Sequence, residues 1–178
     1  MQNGRDYRIF GLVGKRGSGK TALMIELVKA FREGGLTVEG VLSPGIFEDN
    51  KKIAVEIVDL KSDSSRLIAK LAGIEQTGLR YGDWSFFQEA IDWANQQLSA
   101  VQNPDVFILD ELGPLELDVG IGLQVGLDVL KHGHFDLGIL TARPKCIDAL
   151  NAHFPNIKIY RLNSWDQEAL INKFLRIV

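Results

Sequence analysis

Apolar and polar positions alternate along the chain in a way that predicts short buried strands separated by amphipathic helices. Residues 7–13 form a β-rich, mostly apolar run. After a glycine-dense interval, Leu23, Leu27 and Phe31 recur at helical spacing, with Ile25 and Val28 widening the stripe, until Gly34-Gly35 stops the helix. Residues 36–42 read as a strand broken by Ser43-Pro44-Gly45. Residues 52–60 alternate, with Ile53, Val55 and Ile57 on one side, after the hairpin-turn sequence Glu48-Asp49-Asn50-Lys51. A third strand is predicted over 66–71, so that 36–71 reads as a small antiparallel meander inserted after the first helix.

Residues 72–84 carry no regular pattern, and a helix is predicted over 85–100, capped by Asp83 or Ser85. Phe86, Ala90, Trp93 and Ala94 line one face of it, with Phe87, Ile91 and Leu98 broadening the stripe into a core contact. Strands follow at 105–111, 135–141 and 157–162, with helical patterns in the later part of 115–131 and over 144–153. The last helix opens on Ser164-Trp165-Asp166-Gln167, a capping box, and Leu170, Ile171, Phe174, Leu175 and Val178 are its docking residues. Strands and helices in this order predict an α/β fold, a mainly parallel central sheet flanked by helices, and 178 residues suit a single domain.

The glycine-dense interval changes that picture from fold to chemistry. Gly14-Lys15-Arg16-Gly17-Ser18-Gly19-Lys20-Thr21 matches the phosphate-loop pattern G-x-x-x-x-G-K-[ST], between a strand and a helix as such a loop requires. The glycines let successive backbone N–H groups turn inward onto phosphate oxygens. Lys20 would reach the β- and γ-phosphates, and the Thr21 hydroxyl would ligate Mg²⁺. Lys15 and Arg16 either supply charge to the leaving phosphate or face water.

A second motif ends the strand Val106-Phe107-Ile108-Leu109 with Asp110-Glu111. A continuous apolar run ending in acids is what a central parallel strand presents beside a ligand. Asp110 would bind the Mg²⁺ held by Thr21, and Glu111 would orient and deprotonate an attacking water. Thr141 and Arg143, after the next central strand, either sense the γ-phosphate or are solvated. His132 and His134 flank Gly133 without a third ligand at suitable spacing and read as loop residues.

Composition narrows the partners. A net charge of −3 argues against general nucleic-acid binding, the lone Cys146 forms no internal disulfide, and no apolar run reaches membrane-span length. A cytoplasmic protein with no membrane contact is the expectation.

Asp110-Glu111-Leu112-Gly113-Pro114-Leu115-Glu116-Leu117 also resembles the D-E-I-G-[PK]-M-E-L signature of the small nucleoside-triphosphatase family that includes the cancer-related nucleoside-triphosphatase and thermophilic prokaryotic relatives. Tyr81-Gly82 and the ending Ile159-Tyr160-Arg161-Leu162-Asn163 extend the likeness over nearly the whole chain. The resemblance implies a RecA-like P-loop fold and slow, Mg²⁺-dependent hydrolysis of ATP, GTP and other triphosphates with loose base selectivity. It supports Lys20, Thr21, Asp110 and Glu111 in the roles above and makes Asn163 a candidate for base contact. Where the family carries T-E-E-V-R, this chain has Ser43-Pro44-Gly45-Ile46-Phe47. Two rival readings remain: a nucleotide or small-molecule kinase on the same loop, and a nucleotide-dependent adaptor or switch in cofactor assembly, whose protein partner the sequence does not identify.

Overall fold

A computed structural model describes residues 8–73, 78–162 and 166–178. In chain order the strands are β1 (Arg8–Val13), β2 (Val38–Leu42), β3 (Gly45–Glu48), β4 (Lys51–Asp59), β5 (Ser65–Leu71), β6 (Leu79–Tyr81), β7 (Trp84–Phe86), β8 (Val106–Leu112), β9 (Leu137–Ala142) and β10 (Lys158–Arg161). The helices are α1 (Lys20–Glu33), α2 (Gln88–Ser99), α3 (Gln124–His132), α4 (Ile147–His153) and α5 (Gln167–Leu175). All described strands join one sheet, in the order β10-β1-β9-β8-β2-β4-β5-β7-β6, with β3 pairing the start of β4 on the edge whose far end pairs β2. The first five in that order pair in parallel, and every pairing from β2–β4 onward is antiparallel.

The parallel half is apolar on both faces because helices cover both. Phe107 and Leu109 of β8 join Leu127 and Leu130 of α3 in one core, whereas Val106 and Ile108 join Leu23, Leu27 and Phe31 of α1 and Leu170 and Phe174 of α5 in the other. Successive strand residues thus feed opposite cores, as the period of two requires. Each of those four β8 residues is fully shielded from solvent.

The insertion differs from the sequence reading at both ends. Strand β2, expected inside the antiparallel meander of 36–71, does pair antiparallel with β4, but it also pairs in parallel with β8 and so joins the two kinds of pairing. At its other end, 72–84 is not irregular throughout, because the short strands β6 and β7 form a hairpin that extends the sheet past β5. Three-residue strands are too short to show a period, which is why alternation missed them. Ser85 lies in β7, and α2 starts at Gln88 after Phe87, with neither Asp83 nor Ser85 as its cap. The expected β3–β4 turn is present, and Asp49 and Asn50 both take positive φ, 47° and 62°, the handedness that a two-residue hairpin loop needs.

Two helical regions also depart from expectation. The 115–131 region divides into a π-helical turn at Leu115–Val119 and the separate helix α3. In the last helix Leu170 and Phe174 are buried, but Leu175 and Val178 face solvent rather than docking. Its cap is Asp166, whose carboxylate accepts the Glu168 N–H at 3.0 Å. Ser164 and Asn163 lie outside the described residues.

Candidate functional site at the carboxyl ends of the parallel strands

The phosphate-loop sequence occupies the turn from β1 into α1. Gly17 and Gly19 have φ of 76° and 83°, which a side chain would disfavour. The loop is closed by the Ser18 N–H donating to the Lys15 carbonyl at 3.1 Å, and no side chain caps α1. Lys20 is buried, and its ammonium donates to the Gly14 and Lys15 carbonyls at 2.9 and 3.0 Å. Burial lowers its pKa from the ordinary lysine value, opposed by the nearby carboxylates of Glu111 and Asp110. A groove runs along Gly17 to Thr21 and is closed on its far side by Pro44, Phe47 and Lys52 of the insertion. Lys15 and Arg16 are both exposed, but the Arg16 guanidinium carbon lies 5.6 Å from the centre of the Trp84 ring.

Asp110 and Glu111 are sequence neighbours with opposite surroundings. Asp110 is wholly buried, and its carboxylate accepts the Thr141 hydroxyl at 2.6 Å and the Ser43 N–H at 3.1 Å. Desolvation raises its pKa, while hydrogen bonds from Thr141, Ser43 and Thr21 act in the other direction. A hydroxyl and a carboxylate side by side are oxygen donors of the type that a hard divalent cation takes, so Thr21 and Asp110 fit Mg²⁺ as a pair. Among the described residues no cluster of three His, Cys, Asp or Glu could hold a metal by itself.

Glu111 has φ of 63°, left-handed for a residue with a Cβ, at the point where the β8–β9 register shifts. Such a backbone costs about 1 kcal/mol or more and turns the side chain out of the strand's alternation. The Glu111 N–H donates to the Thr141 hydroxyl oxygen at 2.8 Å. Its carboxylate meets the Lys52 ammonium at 3.1 and 3.3 Å, with Lys52 also 5.9 Å from the Trp84 ring centre. Thr141 was read as a γ-phosphate sensor or a solvated residue. It is neither exposed nor free, because its one hydroxyl ties the Asp110 side chain to the Glu111 backbone. Arg143 stands exposed at the end of β9, near enough to Lys20 to lower its pKa further.

A cavity of about 120 Å³ opens on the other side of Glu111. Val55, Ile68, Trp84 and Phe86 of the insertion wall it, against Pro114 and Leu123. Glu116 also lines it, and its carboxylate accepts the Gly113 N–H at 3.0 Å and the Leu123 N–H at 3.4 Å. Burial lifts the Glu116 carboxyl to about 7. Gly122 has no room for a side chain, since a Cβ there would lie 2.2 Å from a Glu116 oxygen.

Sequence reasoning missed Ser43, Lys52, Trp84 and Glu116. Ser43 and Lys52 carry no local signal, since a serine before proline reads as a turn and a lysine on an alternating strand reads as its wet side. Glu116 did leave one, a lone acid between Leu115 and Leu117.

Comparison with known proteins agrees with this fold. A model of the NTPase family matches residues 9–175. The chain is 36% identical to nucleoside-triphosphatase THEP1 of Methanopyrus kandleri over 60% of this chain and 58% of that protein. It is 23% identical to the THEP1 of Caldivirga maquilingensis over 92% and 91% of the two chains. The match to the first of these, like that to the Ignicoccus hospitalis protein, spans about three fifths of the relative's length, 58% and 59%. The solution structure of a human cancer-related nucleoside triphosphatase superposes with a TM-score of 0.71 at 17% identity, covering 95% of this chain and 96% of that one. THEP1 from Aquifex aeolicus gives 0.68 at 14% identity over 95% and 98%. Both likenesses establish the α/β P-loop fold.

Proposed function

The chain belongs to the NTPase family, and on that premise we propose that it is a Mg²⁺-dependent nucleoside-triphosphate phosphohydrolase releasing the terminal phosphate of ATP, GTP and related nucleotides. The observation that carries this reading is the divergence of Asp110 and Glu111, one carboxylate buried beside Thr21 and the other turned out toward Lys52. The loop from Gly14 to Thr21 receives the polyphosphate, with Lys15, Arg16, Gly17 and Gly19 supplying backbone N–H groups and Lys20 the ammonium, while the Gly14 and Ser18 N–H groups brace the loop on the Ala142 and Lys15 carbonyls. Thr21 and Asp110 would hold the metal ion. A Mg²⁺ bound there would supply neutralisation of the phosphate charge.

Glu111 orients a water and accepts its proton as the water oxygen bonds to the γ-phosphorus. Lys52 holds that carboxylate in place. Thr141 fixes both acids relative to one another. Arg143 adds positive charge on the γ-phosphate side, and Asn163 remains a candidate for the base. Phosphoryl transfer passes through a loose transition state, so positioning and charge neutralisation supply most of the acceleration. The buried, single Cys146 accords with a reducing, cytoplasmic setting.

Phosphate release measured with ATP, GTP, CTP and UTP, for the wild type and Glu111→Gln, tests the reading. The variant is expected to bind Mg²⁺-nucleotide while release falls about 10²- to 10⁴-fold. Undiminished release would remove Glu111 from the mechanism.

A further inference from the structure

Hydrolysis needs room for one water at Glu111, but the space beside that residue is far larger. A water requires about 10 to 15 Å³ of such volume, and a dry cavity of about 150 Å³ admits benzene. The cavity here is about 120 Å³. Its walls are mostly hydrocarbon and aromatic, which favours a compact apolar body over a water cluster. It is also placed for chemistry, because Arg16 and Lys52 border both this cavity and the phosphate groove, and Glu111 lines the cavity where the two approach. At its inner wall the Glu116 carboxylate accepts one backbone N–H on each oxygen and keeps lone pairs for a further donor.

We infer that this cavity binds a neutral alcohol about the size of a single ring, with its reactive hydroxyl at Glu111 and its apolar body against Val55, Ile68 and Trp84, and that the protein transfers the γ-phosphoryl group to it. This rests on the assignment of Glu111 as base. In the step, the alcohol oxygen bonds to the γ-phosphorus and the bond from that phosphorus to the β,γ-bridging oxygen breaks. The hydroxyl proton passes to the Glu111 carboxylate, and a nucleoside diphosphate and a phosphate monoester leave. Water at the same position gives hydrolysis, so phosphate release and ester formation are two outcomes of one site, partitioned by what occupies the cavity. A second hydroxyl on the ligand would be read by Glu116.

The test follows γ-phosphate by ³¹P NMR in the full chain with Mg²⁺-ATP and rising concentrations of benzyl alcohol or 4-(hydroxymethyl)phenol, with glycerol as a polar control. A phosphate monoester is expected with the two ring alcohols, at an ester-to-phosphate ratio about tenfold above that with glycerol. Val55→Phe on β4 and Ile68→Phe on β5 fill the cavity from two strands, and the ratio is expected to fall about tenfold in either variant that retains the wild-type circular dichroism. Inorganic phosphate as the sole product at every alcohol concentration overturns the inference and leaves hydrolysis standing, even if benzyl alcohol binds. An unchanged ratio in a folded cavity-filled variant also overturns it. Absence of both phosphate and ester overturns the base assignment as well.

Discussion

The sheet has two halves that reach the same site by different means. The parallel half carries its chemistry at strand ends, where β1 gives way to the loop and Lys20, β8 to Asp110 and Glu111, and β9 to Thr141 and Arg143. Parallel strands all point their carboxyl ends the same way, so residues distant in sequence converge there through topology alone. The antiparallel half contributes instead from beside its hairpin turns, through Lys52, the second residue of β4, and Trp84, the first of β7. Its strands run both ways, so no common end exists, and each contact depends on register. The difference teaches that the generic part of the site is fixed by fold class, whereas what closes over it is fixed by pairing details.

The contrast breaks most sharply at Lys20. Lys20→Ala is expected to lower kcat/KM for Mg²⁺-ATP about 10³-fold, close to 4 kcal/mol of transition-state stabilisation. Steady-state phosphate release checks it. A loss under about tenfold would mean that the parallel half does not hold the phosphates.

A smaller effect is expected from the other half. Lys52→Met removes the cation facing Glu111 and should lower kcat about tenfold with little change in KM. If kcat is unaltered, the insertion covers the sheet edge without taking part.

The smallest effect concerns stability at the seam between the halves. Burial holds the Glu116 carboxyl at about 7, above the ordinary 4.5, so the folded chain binds this proton more tightly than the unfolded chain. Stability from this group is therefore complete below the ordinary value, declines as pH rises between the two, and is absent above about 7. Glu116→Gln stays neutral throughout. It is expected to gain about 1 to 2 kcal/mol over the wild type at pH 8 and nothing at pH 4, after allowing for one weakened backbone hydrogen bond. Urea denaturation at the two pH values measures the difference, and an equal effect at both would show that folding leaves the Glu116 carboxyl unshifted.

Legibility followed the same division. The spacing of Leu23, Leu27 and Phe31, the run from Val106 to Leu109 and the glycines of the loop each encode their structure within a few residues, and all were readable. The placement of β2 was not, because a five-residue apolar strand looks the same whether its neighbour runs parallel or antiparallel. The π-helical turn after Pro114 was missed because it is set by the Gly113 and Leu123 amides folding onto the Glu116 carboxylate, a contact between residues that no single helical period relates.

The sequence by itself determined the α/β class, the phosphate-binding turn and the acidic end of β8, because each is local chemistry repeated at fixed spacing. Only the tertiary structure decided that Thr141 serves two acids at once, that Glu111 turns into the left-handed region toward Lys52, and that an apolar cavity lies beyond it. Those outcomes depend on which strands become neighbours and in what register, a property of the assembled sheet that no stretch of the chain carries alone.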